Sequence, residues 1–273
     1  MKRGIKAILI VGFLLLGITS YACSILYYVD KETGKIYAVN NEDFWYDTEA
    51  YIQIEKATNK KLARLWYGWN DFAQGGINSA GLFFDVAVTP EQKMPDGYGW
   101  TNGNIGDNLL ANANTVDEAL AWMEEEKFAV HQSHFLIGDA TGNAVIVEWI
   151  DGKQHIIKME GNSLVATNFL INAPEEGGHP CYRYESIEER VAALEASTTD
   201  ITLKSVGQTM AGAVQPPREW EKGRTGGTLY TSFFDITDMK MVLVPKLDNS
   251  KFVELDLKAE FTSGKKRRIN LYE

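Results

Sequence analysis

After residue 22 the chain reads as a series of short apolar runs, rich in β-branched and aromatic residues, each closed by turn-forming residues. Ser24–Val29 and Lys35–Val39 flank Asp30-Lys31-Glu32-Thr33-Gly34, which predicts a hairpin. Tyr51–Lys56, Leu62–Trp69 and Leu82–Val88 are further strand candidates. His134–Ile137, Ala144–Ile150, Gln154–Met159 and Ser163–Thr167 follow, separated by turns such as Asp139-Ala140-Thr141-Gly142 and Asp151-Gly152. Thr228–Ile236, Met241–Pro245 and Lys251–Leu257 complete the set. Helical periodicity appears in Asn108–Phe128, Arg183–Ala196 and Ser205–Ala213. In the first of these, Thr115 and Glu118 make a capping box ahead of Ala119, Leu120, Trp122 and Met123. Two groups of strands joined by short turns, with helices between and after, predict an α+β fold of mostly antiparallel layers rather than a doubly wound sheet. No repeat, low-complexity tract or linker divides residues 23–273, so one domain is expected. The basic cluster Lys265–Arg268 reads as a solvated tail.

The first 22 residues have a different pattern. Lys2, Arg3 and Lys6 precede the apolar run Ala7–Ile18, and Thr19-Ser20-Tyr21-Ala22 follows it. That is the layout of a secretory signal peptide with a small-x-small cleavage site. The apolar run is too short to span a bilayer, which takes about 20 residues. Export to the periplasm or beyond is therefore expected, with Cys23 as the first mature residue. A cysteine there admits two chemistries. It can be lipidated, giving a membrane-anchored lipoprotein, although Ser20 and bulky Tyr21 depart from the usual lipoprotein signal. Or it can be a nucleophile whose own α-amine, titrating near about 7.7–8.0, serves as its base. An ordinary cysteine without a role is the third reading.

Composition narrows the class. The 273 residues carry 27 Lys+Arg against 37 Asp+Glu, a net charge of −10, and three of the cations lie in the leader. An acidic chain without a basic face does not suit a phosphate backbone, so nucleic acid is not an expected partner. With 45% hydrophobic residues and seven Trp, it can bury a full core. Two cysteines rule out a disulfide scaffold. Cys181 could pair with Cys23 in an oxidising compartment, which would block a nucleophile there; a buried free thiol is the expected state. His131 and His134 are out of line on a strand and lack a third ligand at suitable spacing, so no metal or other cofactor is called for. Trp66, Tyr67, Trp69 and Phe72 are core candidates, some of them able to line a pocket.

Several segments, in order, resemble the linear-amide C–N hydrolases, the choloylglycine-hydrolase-like N-terminal-nucleophile (Ntn) group that includes penicillin V acylase, bile salt hydrolases and isopenicillin N acyltransferases. They are Cys23-Ser24, Val39-Asn40-Asn41-Glu42-Asp43-Phe44, Gly75-Gly76-Ile77-Asn78-Ser79-Ala80-Gly81-Leu82, and Ser133–Gly142 with Val147-Glu148. Ala166-Thr167-Asn168-Phe169, Cys181-Tyr182-Arg183-Tyr184 and Thr228-Leu229-Tyr230-Thr231-Ser232 complete the series. The resemblance covers nearly all of residues 23–257. It implies an αββα four-layer sandwich, a small N-acyl amide as substrate, no cofactor, and an assembly of several copies, as relatives often form tetramers. It makes Cys23 the nucleophile, Asp43 the partner of its α-amine, Asn168 an oxyanion donor and Arg183 a cation beside the nucleophile. Asn40, Asn78 and Asp85 are expected at the substrate-binding surface.

The chain also departs from the pattern. Many relatives have arginine where Asn40 stands, and a second oxyanion asparagine of bile salt hydrolases falls on Val88. These departures count against bile salt hydrolysis and leave a backbone N–H near Gly81 or Asp85 to supply the second donor. The expected function is amide hydrolysis through a thioester. Acyl transfer to an amine is the alternative, and so is an inactive binding module that meets the membrane only through a lipidated Cys23.

Overall fold

A computed structural model describes residues 23–99 and 103–272; the expected leader, residues 1–22, lies outside them. Six strands come first: β1 (Ser24–Asp30), β2 (Lys35–Trp45), β3 (Tyr51–Glu55), β4 (Arg64–Trp69), β5 (Phe72–Asn78) and β6 (Phe83–Val88). Helices α1 (Ile105–Asn112) and α2 (Val116–Glu125) lead into β7 (Ser133–Gly138), β8 (Ala144–Ile150), β9 (Lys153–Lys158) and β10 (Ser163–Ala166). Then come α3 (Tyr182–Glu195) and α4 (Leu203–Thr209), the latter extended by a 3-10 turn at Met210–Ala213. Strands β11 (Arg218–Glu221), β12 (Arg224–Asp235), β13 (Lys240–Pro245) and β14 (Val253–Asp256), helix α5 (Leu257–Thr262) and β15 (Arg267–Asn270) close the chain.

The strands form two antiparallel sheets. One runs β10-β1-β2-β12-β13-β14 with β11 paired to β12, and the other runs β15-β3-β4-β5-β6-β7-β8-β9. Their facing surfaces share a core that includes Ile25, Tyr27, Ala38, Tyr67, Phe83, Leu136 and Phe234. Alternate residues of the same strands point outward under helices. Leu26, Tyr28 and Val39 pack with Ile187, Val191 and Val206 of α3 and α4, while Phe84 and Phe135 pack with Leu109, Leu110 and Met123 of α1 and α2. This is the expected αββα sandwich. Because both faces of the inner strands are buried, their sequence reads as continuous apolar runs with no polar alternation.

Local departures from the expected elements have identifiable causes. The single helix expected over Asn108–Phe128 is two, because Asn78 Nδ2 binds the carbonyls of Leu110 (2.9 Å) and Ala113 (2.7 Å) and so caps α1 from outside. Thr115 then caps α2 by accepting from the Glu118 N–H, as expected, but Glu118 reaches Asn114 rather than closing the box on Thr115. Strand β5 was not expected, since Gln74-Gly75-Gly76 dilutes its apolar signal. A Cβ on Gly76 would overlap the Leu65 carbonyl, and one on Gly75 would overlap Asp85 and Tyr67. Part of the expected solvated tail is β15, an edge strand held to β3, with the Arg268 guanidinium 3.8 Å from the Tyr51 ring.

The end of β2 positions the site. A bulge in β12 between Thr228 and Tyr230 faces Asp43 and Glu42, and it turns both Leu229 and Tyr230 into the inter-sheet core. Along β2, Asn40 and Glu42 face the space between the sheets, where Asn40 Nδ2 donates to Glu42 Oε2 at 3.4 Å. Asn41, on the other face, donates to the Met210 carbonyl.

Candidate active site

Cys23 precedes β1, and the β1–β2 register, in which Ser24 faces Asn41, carries it to the side of Glu42. Its thiol donates to Glu42 Oε1 at 3.1 Å, and both residues are buried. The sulfur lies at the base of a cleft of about 340 Å³ whose walls include Phe44, Trp69, Phe72, Val86, Val88 and Phe135. Ser133 and Gln74 add polar edges, and among the described lining residues Glu42 is the sole carboxyl group.

The electrostatics at the sulfur oppose ionisation. Burial, then the Glu42 and Asp43 carboxylates, push the Cys23 thiol well above its usual range, and the Asp43 backbone N–H partly offsets them. Glu42 is itself pushed up to about 7 by burial, against the hydrogen bonds from Cys23 and Asn40. Burial also raises Asp43, opposed by the Thr228 hydroxyl and the Arg183 charge. Thr228 Oγ1 donates to Asp43 Oδ1 at 2.6 Å, and Oδ2 has no partner among the described residues.

Arg183, in the first turn of α3, is buried and ties the site together. Its Nη1 donates to the Cys23 carbonyl (2.7 Å) and to Ser24 Oγ (3.0 Å), and its Nη2 to Asn168 Oδ1 (2.9 Å). The guanidinium grips the backbone of Cys23, not its sulfur. Asn168, just past β10, uses one hydrogen of Nδ2 on the Val88 carbonyl at 2.7 Å. The preceding carbonyl, that of Thr167, contacts His134 Nε2 at 2.7 Å, and His134 Nδ1 lies 3.7 Å from Glu148. Glu148 accepts from the N–H groups of Ile171 and Asn172, which fixes the loop that carries Asn168.

The structure thus brings together Cys23, Asp43, Asn168 and Arg183. The three residues expected at the substrate surface are placed elsewhere. Asn78 spends its carboxamide on Leu110, Ala113, Ala80 and Leu82 and is structural. Asp85 is wholly buried between the sheets, where it accepts from the Tyr67 hydroxyl and the Val86 N–H, off the cleft wall. Asn40 is fully buried behind Glu42. The Gly81 N–H is used on the Asn78 carbonyl, so it does not supply the second oxyanion donor. Of the four aromatics, Trp69 and Phe72 line the cleft, whereas Trp66 and Tyr67 lie in core clusters on opposite faces of their sheet. Cys181 is a buried free thiol that accepts from Thr167 Oγ1 at 3.4 Å. His131 sits by Glu91, apart from His134, and no group of three His, Cys, Asp or Glu among the described residues is arranged to hold a metal.

Sequence reasoning missed Glu42, which it quoted only inside a motif. The signal available was strand parity: two positions before Phe44 and two after Asn40, on the face that carries Ile36 and Ala38 into the core.

A family model described as acyl-coenzyme A:6-aminopenicillanic acid acyl-transferase matches residues 29–248. A penicillin V acylase from Pectobacterium atrosepticum is 30% identical over 110 residues, 34% of this chain and 29% of that protein, so less than a third of that relative's length is matched. The solved penicillin V acylase of Agrobacterium tumefaciens superposes with a TM-score of 0.68 at 18% identity, covering 86% of each chain. A conjugated bile acid hydrolase variant from Clostridium perfringens gives 0.69 at 15% identity, covering 91% of this chain and 97% of the other. At these identities the structural likeness speaks to the fold.

Proposed function

This chain belongs to the acyl-coenzyme A:6-aminopenicillanic acid acyl-transferase family, within the choloylglycine-hydrolase-like Ntn hydrolases, and from that membership we propose that it is an exported amidohydrolase whose nucleophile is Cys23. The observation that carries this reading is the Cys23 thiol at the base of an apolar cleft, with Arg183 joining its carbonyl to Asn168. Removal of residues 1–22 as a signal peptide would free the α-amine. The unpartnered Asp43 Oδ2 offers that amine an acceptor, while Thr228 holds the other oxygen.

In the N-terminal-nucleophile scheme the α-amine takes the thiol proton as sulfur attacks the amide carbonyl. Asn168 has a second Nδ2 hydrogen, and a carboxamide donor of this kind stabilises a tetrahedral oxyanion; loss of one such donor costs about 10²–10³ in rate. The α-ammonium then protonates the leaving nitrogen, and water resolves the thioester. The wall of Phe44, Trp69, Phe72 and Val88 suits an apolar or aromatic acyl group.

A lipid on this buried sulfur would have to fill the cleft, so the geometry favours a free thiol. Acyl transfer remains a second reading, favoured by the family model's acyl-transferase description. The test is a panel of phenoxyacetyl, fatty-acyl and bile-acyl amides with the chain that begins at Cys23, read by amine release and by intact mass. An acylated Cys23 intermediate and loss of turnover in Cys23→Ala are expected. Full activity in that variant would end this reading. Adding hydroxylamine distinguishes the two fates of the thioester: hydroxamate formed at the expense of free acid favours transfer.

A further inference from the structure

The alternation of β2 gives Cys23 two different carboxylate neighbours. Asp43 turns its backbone N–H to the sulfur, while Thr228 holds one oxygen of its carboxylate. Glu42, one residue earlier and on the opposite face, receives the S–H itself at 3.1 Å. It also lines the cleft, so it sits where an entering acyl group meets the sulfur.

We propose that Glu42 is a catalytic base: its carboxylate accepts the Cys23 thiol proton as sulfur attacks, and the resulting acid returns that proton when the thioester is hydrolysed. This rests on Cys23 being the nucleophile, and it reassigns one transfer from the α-amine. In the first half-reaction the sulfur electron pair forms the C–S bond, the carbonyl pair moves to oxygen, and the thiol proton goes to Oε1. The C–N bond then breaks, and the leaving nitrogen takes a proton from the α-ammonium. In the second half-reaction the neutral α-amine takes a proton from water as its oxygen forms the new C–O bond. The C–S bond breaks, the sulfur keeps the electron pair, and Glu42 gives its proton back. Amide and water become carboxylic acid and amine, and all three groups return to their starting states.

The surroundings of Glu42 fit this work. The groups that interact with it are Cys23 just before β1, Asn40 and Asp43 from β2, Tyr67 from β4, Asp85 from β6, Tyr230 from β12 and Tyr272 beyond β15. None of these side chains is a cation, and burial pushes Glu42 up to about 7, where a base is best matched to neutral solution. Asn40, which binds the second Glu42 oxygen, is uncharged. A guanidinium there would hold a neighbouring carboxylate low and weaken it as a base.

The test is thiol labelling, with the amide panel above as its activity control. The chain beginning at Cys23 is alkylated with iodoacetamide from about pH 5.5 to about pH 9, and labelling of Cys23 and Cys181 is followed separately by peptide mass. Wild-type Cys23 should label with a rate that rises through a midpoint above the ordinary carboxylate range, at about 7 or lower where the α-ammonium offsets burial. Glu42→Gln should lack that step and label about 10-fold more slowly at neutral pH, whereas Glu42→Asp should keep a step. Equal or faster labelling of Glu42→Gln across the range, or no labelling of Cys23, would overturn the proposal. An inactive Cys23→Ala together with an unaffected Glu42→Gln removes Glu42 alone. An active Cys23→Ala removes the nucleophile reading beneath it.

Discussion

At the level of single residues, the site depends on adjacent side chains with opposite duties. Arg183 is buried, yet its guanidinium is spread over the Cys23 carbonyl, Ser24 and Asn168, so it acts as a strut between Cys23 and Asn168, the proposed nucleophile and oxyanion donor. Asp43 is the group most open to test. Burial raises its pKa, and Thr228 and Arg183 pull it back. Above its ordinary range the folded carboxyl therefore keeps a proton that the unfolded one has released, so ionising it weighs against folding and stability falls as pH rises. Asp43→Asn removes the charge and keeps the shape. Unfolding temperature should hold or rise, while turnover falls by about 10²-fold or more because the amine loses its anionic partner. Thermal scans and steady-state kinetics on one preparation decide this; parallel losses in both would make Asp43 a structural residue.

At the level of elements, the legible features were those with local causes. The β1–β2 hairpin and the Thr115 cap follow from turn and capping chemistry and the later helices from their periodicity, and the ordered motifs named Cys23, Asp43, Asn168 and Arg183, which lie close together. What stayed hidden depends on partners distant in sequence. The break between α1 and α2 is made by Asn78, more than thirty residues away, binding Leu110 and Ala113. The expected substrate roles of Asn78 and Asp85 failed for a related reason: motif position fixes neither the pleat face nor what fills the other side. Strand β5 shows this best, since Gly75 reads as a breaker but leaves room for the Tyr67–Asp85 hydrogen bond. Gly75→Ala should displace that pair and destabilise the fold by about 1–3 kcal/mol. Gly99→Ala, whose new Cβ meets open space, should change little. Urea unfolding of the two variants compares them directly, and equal midpoints would mean that the inter-sheet space can relax around the added methyl.

At the level of the whole molecule, two sheets close over an apolar core that nonetheless contains Glu42, Asp43 and Asp85, each raised chiefly by burial. A site of this kind sets stability against function. For Glu42 the sign is definite. Its pKa rises from an ordinary 4.5 to about 7, so between those values the folded chain binds a proton that the unfolded chain has lost, and stability falls as pH rises through that window. The full shift corresponds to at most about 3 kcal/mol at slightly alkaline pH. Glu42→Gln lacks the titration, so it should match wild type near pH 4.5 and exceed it near pH 8. The gain should be larger in a chain with two alanines before Cys23 than in one that starts there. In the second chain the α-ammonium places a compensating charge among the carboxylates, drawing the Glu42 pKa back down. Urea midpoints at the two pH values, for both chain starts, give the four numbers needed. A Glu42→Gln chain that is more stable at alkaline pH yet slower in thiol labelling is the expected result, because the charge that burdens the fold is the one that takes the proton. A variant weaker at both pH values would instead show that the thiol–carboxylate hydrogen bond outweighs the burial of the charge.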